Sequence, residues 1–214
     1  MERQPDAYPA RLAVDYPERL DRVSTLLRIP FIIPIGIVSY LMPVAPLLAV
    51  SLAVEGYIDD SGTGWFAAAF FLPLILMILF RRKYPRWWFD FLLELTRFQF
   101  RVSAYGALLT DRYPSTDEEQ NVHVELDYPD AEQLNNLLPI VKWLLLIPHY
   151  IVLILLSIAA LVAVIAAWFA ILITARYPRF LFDVVVGFGR YWLRVQAYGF
   201  LLITDRYPPF RLSA

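Results

Sequence analysis

The chain sorts its apolar and polar positions in three ways. Long apolar runs occupy 31–54, 65–80 and 143–175, and none of them holds an Asp, Glu, Lys or Arg. Crossing the hydrocarbon of a bilayer takes about 20 apolar residues. The first run is long enough but is broken by Pro34, Pro43 and Pro46; the second is barely long enough. In the third, Pro148-His149 divides a leading helix from a span at 149–174, roughly 39 Å long at 1.5 Å per residue. The pattern predicts about three transmembrane helices.

A second pattern alternates every other residue. Arg11-Leu12-Ala13-Val14-Asp15 and Val122-His123-Val124-Glu125-Leu126-Asp127 each read as a short strand stopped by Asp-Tyr-Pro. A helical lead-in is expected after each, over 18–29 and 131–147, with Asp130 able to cap the second.

The third pattern is helical and carries charge. Asp183, Arg190 and Arg194 lie 7 and 11 residues apart, which returns them to one face at 3.6 residues per turn. Asp90, Arg97 and Arg101 repeat that spacing, and Glu94 joins their stripe. Pro85 and Pro178 can open these helices; Pro114 and Pro208 lie beyond their ends. Two amphipathic helices are expected, at 86–110 and 179–203. They either lie in the headgroup layer with arginines toward phosphate or cross with the stripe turned inward. A mid-bilayer charge costs at least ~2.5–3.5 kcal/mol on insertion scales, which favours the interfacial placement. Arg97, Arg101, Arg190 and Arg194 are the candidate contacts for anions or lipid headgroups, with Asp90, Glu94 and Asp183 as stripe carboxylates. The alternative reading is that the arginines anchor their helices and pair with local acids.

The two stripes sit in similar text. Tyr-Pro-Arg, Phe-Asp, Ala-Tyr-Gly, Leu-Leu and Thr-Asp-Arg-Tyr-Pro recur in order between Tyr84 and Pro114 and between Tyr177 and Pro208. This predicts an all-α integral membrane protein formed by tandem duplication, with short β-strands opening each half. Residues 1–114 form the first repeat, 115–136 an acidic linker, and 137–214 the second repeat.

Composition fits a membrane location: 59% of the 214 residues are hydrophobic and mean hydropathy is +0.52. Net charge is -1, which argues against nucleic acid as a partner. There is no cysteine, so disulfides, thiolate metal sites and Cys nucleophiles are excluded. No cleavable signal is expected, since charge persists to Arg28 before any apolar run. Arg81, Arg82 and Lys83 against the acidic 55–64 loop place the former in the cytoplasm.

Chemistry-bearing motifs are sparse. His123 and His149 lack ligand spacing, and no Gly-rich phosphate loop, nucleophile elbow or metalloprotease motif occurs. Gly187 and Gly189 suggest close helix packing. Tyr-Pro occurs seven times and suggests boundaries between chain and membrane interface. Neither an enzyme nor a cofactor or metal is expected.

Nearly the whole chain resembles a bacterial membrane domain family of unknown function, most specifically in the second half, through Ile147-Pro148-His149, Arg176 to Asp183 and Thr204 to Phe210. The first half departs from it, with Ile29-Pro30-Phe31 lacking the histidine, Lys83 for Arg, Trp87-Trp88, and extra residues around 55–64. The resemblance implies a multi-pass location in the cell (inner) membrane and brings no established activity with it. The resulting expectation is a non-enzymatic accessory, scaffold or assembly subunit. Its partners would be membrane lipids, another membrane protein or a second copy. The competing expectation is a small transporter or channel for anions or lipid headgroups.

Overall fold

The computed structural model of the chain describes residues 8–28, 30–35, 84–116, 118–130, 134–135 and 138–213. Its elements, in order, are β1 (Ala10–Val14), α1 (Arg86–Gly106), β2 (Val122–Leu126), α2 (Leu138–Leu145), α3 (Ile147–Thr174) and α4 (Arg179–Gly199). The backbone is also helical over 22–28 and 30–35.

The two strands pair antiparallel, with Leu12 opposite Val124. Alternation puts Leu12 and Val124 into the core. It puts Arg11 on the outer face, where its guanidinium meets Glu125 (3.1 Å) and Asp127 (3.0 Å). A lone two-stranded ribbon is marginal in water, so its inner face must be covered. Helix α4 covers β1 and α1 covers β2.

Helices α1 and α4 each open on a proline in extended backbone, Pro85 and Pro178. Both stop at the glycine of Ala-Tyr-Gly, four residues before the expected ends. The reason is local: Leu108 (φ 64°) and Leu202 (φ 55°) are left-handed and turn the chain back. There the Leu109 N–H donates to Ala104 (2.9 Å) and the Leu201 N–H to Gln196 (2.8 Å). Left-handed backbone costs a non-glycine residue roughly 1–2 kcal/mol. Both leucines are buried, which returns about 1.5–3 kcal/mol each.

Helix α3 runs antiparallel beside α4. Leu146, just before α3, meets Gly199 at the end of α4, and the two helices are joined at their other ends by Ala175–Pro178. One stripe of α3 is buried over its length: His149, Leu153, Ala160, Ala163, Ala167 and Ile171. The central core joins both halves of the chain, packing Tyr84, Trp88 and Phe100 with Leu12, Val124, Ala167, Phe182 and Leu193.

Four expectations are corrected here. The chain is not all-α, since it carries a two-stranded sheet. Among the described residues one helix, Ile147–Thr174, is long and apolar enough to cross a membrane, not about three. The 65–80 run, the 55–64 loop, residues 81–83 and the 31–54 run beyond 35 lie outside the described residues. Nor is the chain two repeats in tandem, each with its own strand. The strand from the N-terminal segment serves α4, the strand from the linker serves α1, and one core takes side chains from both halves. Among the described residues neither arginine helix is a candidate span, and the arginines of their stripes donate to carbonyls of the sheet and of the chain's own loops.

Candidate functional site

The stripe residues hold backbone. The Arg190 Nε donates to the Leu12 carbonyl (3.0 Å) and the Arg97 Nε to the Val124 carbonyl (3.2 Å). These two carbonyls are directly opposed in the sheet. The Asp15 N–H donates to Asn121 and the Asp127 N–H to Pro9, so odd-numbered residues of the first strand form the hydrogen-bonded pairs. Leu12 and Val124 fall in the other phase, with carbonyls turned outward to the free edges. Each edge of the ribbon is thus capped by one arginine, at the place where an unpaired strand would invite another.

Arg101 and Arg194 lie one turn further on and are buried. The Arg101 Nη1 donates to the carbonyls of Ser115 (2.9 Å) and Thr116 (3.3 Å). The Arg194 guanidinium donates to Arg211 (2.8 Å) and Ser213. Each fastens the segment that follows its helix. Burial lowers the Arg194 pKa, and the nearby Arg211 and Arg190 charges lower it further.

Asp90, Glu94 and Asp183 are exposed. Glu94 pairs with Arg97 (2.6 Å). The four arginines do not converge on one cavity; they sit as two matched pairs about the sheet.

A second matched set escaped the sequence reading. Lys142 is fully buried, pairs with Asp205 (2.7 Å), donates to the Thr204 carbonyl (2.7 Å) and lies over the Tyr198 ring. Burial lowers its pKa, and the Asp205 carboxylate opposes that. On the other side Arg28 pairs with Asp111, donates to the Tyr105 carbonyl and lies over the Tyr105 ring. The acids come from the two Thr-Asp-Arg-Tyr-Pro turns and the tyrosines from the two Ala-Tyr-Gly ends. Each turn is braced by its threonine, which accepts from the N–H of Arg112 or Arg206. A signal was present: Arg28 stands five residues before Ile33-Pro34, as Lys142 does before Ile147-Pro148.

The Tyr-Pro tyrosines also act on backbone. Tyr84 donates to Leu201 (2.8 Å) and Tyr177 to Ala107 (3.3 Å), each crossing to the far helix end. Tyr128 donates to the Tyr84 carbonyl and Tyr16 to that of Tyr177. Tyr8 donates to Arg206 (3.1 Å) and Tyr207 to Leu145 (3.1 Å). Burial raises the pKa of Tyr8, Tyr84 and Tyr177.

His149 is enclosed where α3 begins. Its Nδ1 shares a hydrogen bond with the Tyr191 hydroxyl, and its ring stacks on Phe210 at 4.2 Å. Burial pushes the Tyr191 pKa up to about 12. Among the described residues no group of three or more His, Cys, Asp or Glu is placed to hold a metal ion.

What this geometry defines is a helical body clamped around a small sheet, with one long apolar helix along its outer side. Residues 139–211 match the family described as Domain of unknown function (DUF4389). No curated protein and no solved structure matches the chain. The matched segment contains Lys142, His149, Arg190, Arg194 and Asp205, and leaves β1, α1 and β2 outside it.

Proposed function

We propose that the protein is a membrane-associated, non-enzymatic accessory or scaffold subunit whose attachment is α3. The observation that carries this is the outer face of α3. The helix contains an 18-residue window of mean hydropathy 3.0. Ile151, Ile154, Leu155, Ile158, Leu161, Val162, Ile165, Phe169 and Ile173 are all more than half exposed along it. Single exposed apolar residues are ordinary, but a continuous patch of this extent marks an interaction surface.

The use of the polar groups supports the scaffold reading over the anion or headgroup path. A path needs arginines facing it, whereas Arg97, Arg101, Arg190 and Arg194 donate to carbonyls of their own chain. Such wiring fixes a shape.

Flotation of the full chain with vesicles tests the attachment. The wild-type protein is expected in the lipid fraction, resisting high salt. Ile158→Lys combined with Ile165→Lys should shift it to the aqueous fraction. A wild-type chain that stays monodisperse in the aqueous fraction would refute the reading.

A further inference from the structure

We infer that α3 lies along the bilayer rather than across it, as a half-buried base beneath a polar body. The inference rests on the membrane reading above and specifies the geometry of attachment.

The argument starts from which sides of α3 are taken. The buried residues from His149 to Ile171 fall on one line at helical spacing. Ile151, Ile154, Ile158, Leu161, Ile165 and Phe169 fall on the opposite line. The apolar face is therefore turned directly away from α4, over the whole helix. Next to α4, on its far side, lies β1. It crosses α4 at the middle, where Arg190 grips the Leu12 carbonyl and the Gly189 Cα lies under Leu12. The outer surface of that sheet carries Arg11 with Glu125 and Asp127, and His123 beside Asp15, all solvent-facing.

An upright α3 would carry this arrangement to mid-membrane. Arg11, Glu125, Asp127 and Asp15 would then sit level with the hydrocarbon, where ionised side chains facing lipid are strongly disfavoured. A reclining α3 gives every group a suitable solvent: the apolar face meets acyl chains and the sheet stays in water. Neighbouring elements extend the base. The Trp168 indole donates to the Thr25 carbonyl and Arg22 to that of Ile173, which fixes 22–28 beside α3. Val23, Leu26 and Leu27 are exposed there. At the same end Arg22, Arg176 and Arg179 are exposed, placed for phosphates in the plane of the headgroups. That charge, with no ionisable carboxylate or amine anywhere from 143 to 175, points to phospholipid as the occupant rather than a second copy of the chain.

The test uses full-length protein in vesicles of phosphatidylcholine and phosphatidylglycerol at 3:1. The chain has no cysteine, so Ile151→Cys, Ile158→Cys, Ile165→Cys and Ile173→Cys each carry one probe at an exposed site. Positions 151 and 173 are about 33 Å apart along the helix. The reclining helix predicts one common depth for all four probes by brominated-lipid quenching. It also predicts that Glu125→Cys labels fully with an impermeant maleimide added outside, after one-sided addition to preformed vesicles. Probes at 151 and 173 near opposite surfaces, with 158 and 165 deepest, would overturn the inference while leaving membrane attachment intact. Failure to float at all would overturn the attachment itself. Four probes shielded from both lipid and water in a discrete dimer would assign the face to a second copy and overturn the inference equally.

Discussion

Arginine and tyrosine in this chain act as backbone fasteners. Arg101 and Arg194 each hold carbonyls of the segment after their helix. A hydrogen bond from a charged donor contributes about 1.5–3 kcal/mol. Arg101→Met and Arg194→Met, which keep the aliphatic stem, should each lower stability by about that amount in denaturant titrations. Asp90→Asn and Asp183→Asn concern exposed carboxylates and should stay within roughly 0.5 kcal/mol. Equal effects from the arginine and aspartate changes would contradict the clamp assignment. The tyrosines give a pH signature. Burial raises the pKa of Tyr84 and Tyr177 above the ordinary 10.0. The folded state therefore keeps protons that the unfolded chain releases, and stability present up to pH 10 falls above it, by at most ~1.4 kcal/mol per pH unit per group. Lys142 works in the opposite sense. Its pKa is lowered, so its buried charge costs stability at neutral pH, and that cost is relieved as pH rises toward 10.5. Tyr84→Phe with Tyr177→Phe should therefore flatten the fall in melting temperature above pH 10. An unchanged alkaline slope would show that these hydroxyls titrate as in the unfolded chain.

At the scale of elements, Gly189 tests the seat of the sheet on α4. A Cβ there would stand 2.9 Å from Leu12 Cδ2 and 3.6 Å from Phe100. The close packing expected of Gly187 and Gly189 exists: Gly189 meets Leu12 of β1 and Phe100 of α1, and Gly187 meets Leu212 of the C-terminal segment. Gly189→Leu should lift β1 from α4, at a cost of about 1–3 kcal/mol from overpacking, seen as a loss of hydrogen-exchange protection at Ala13 and His123, a pair in the hydrogen-bonded phase of the ladder. Local pattern carried much of this level. Period-2 alternation marked both strands to within a residue, and prolines marked the helix starts at Arg86 and Arg179. The early helix ends had a stop signal in Gly106 and Gly199 that the long apolar pattern overrode; the left-handed turns after them were hidden, because they fall on Leu108 and Leu202. Edge capping was hidden as well. The Arg190–Leu12 and Arg97–Val124 contacts depend on which strand lies beside which helix, and alternation within one segment holds no information about that.

At the scale of the molecule, the two halves share one fold because their supports are exchanged. β1 precedes α1 in the chain but completes α4, while β2 follows α1 and returns to it. Tyr84 reaches forward to Leu201 and Tyr177 back to Ala107, so each half ends on a carbonyl satisfied by the other. Similar text at 84–114 and 177–208 suggested two copies side by side, since sequence likeness records what each segment resembles and not what it packs against. The family match over 139–211 raises a direct question: does that segment fold alone? It contains α2, α3 and α4 but lacks β1, and Leu12 packs beneath Gly189 in the intact chain. Without β1 the Arg190 guanidinium loses its carbonyl partner, and the side of α4 holding Val185, Val186 and Leu193 loses Leu12 and Phe100 from its core. The isolated 139–211 segment is expected to be readily proteolysed in detergent, with exchange-labile α4 amides. Adding the 1–138 fragment, which carries both strands and α1, should restore protection to α4 and allow co-purification of the two pieces. A 139–211 segment as protected as the whole chain would mean that α3 and α4 suffice, and that the exchanged strands contribute nothing to holding them.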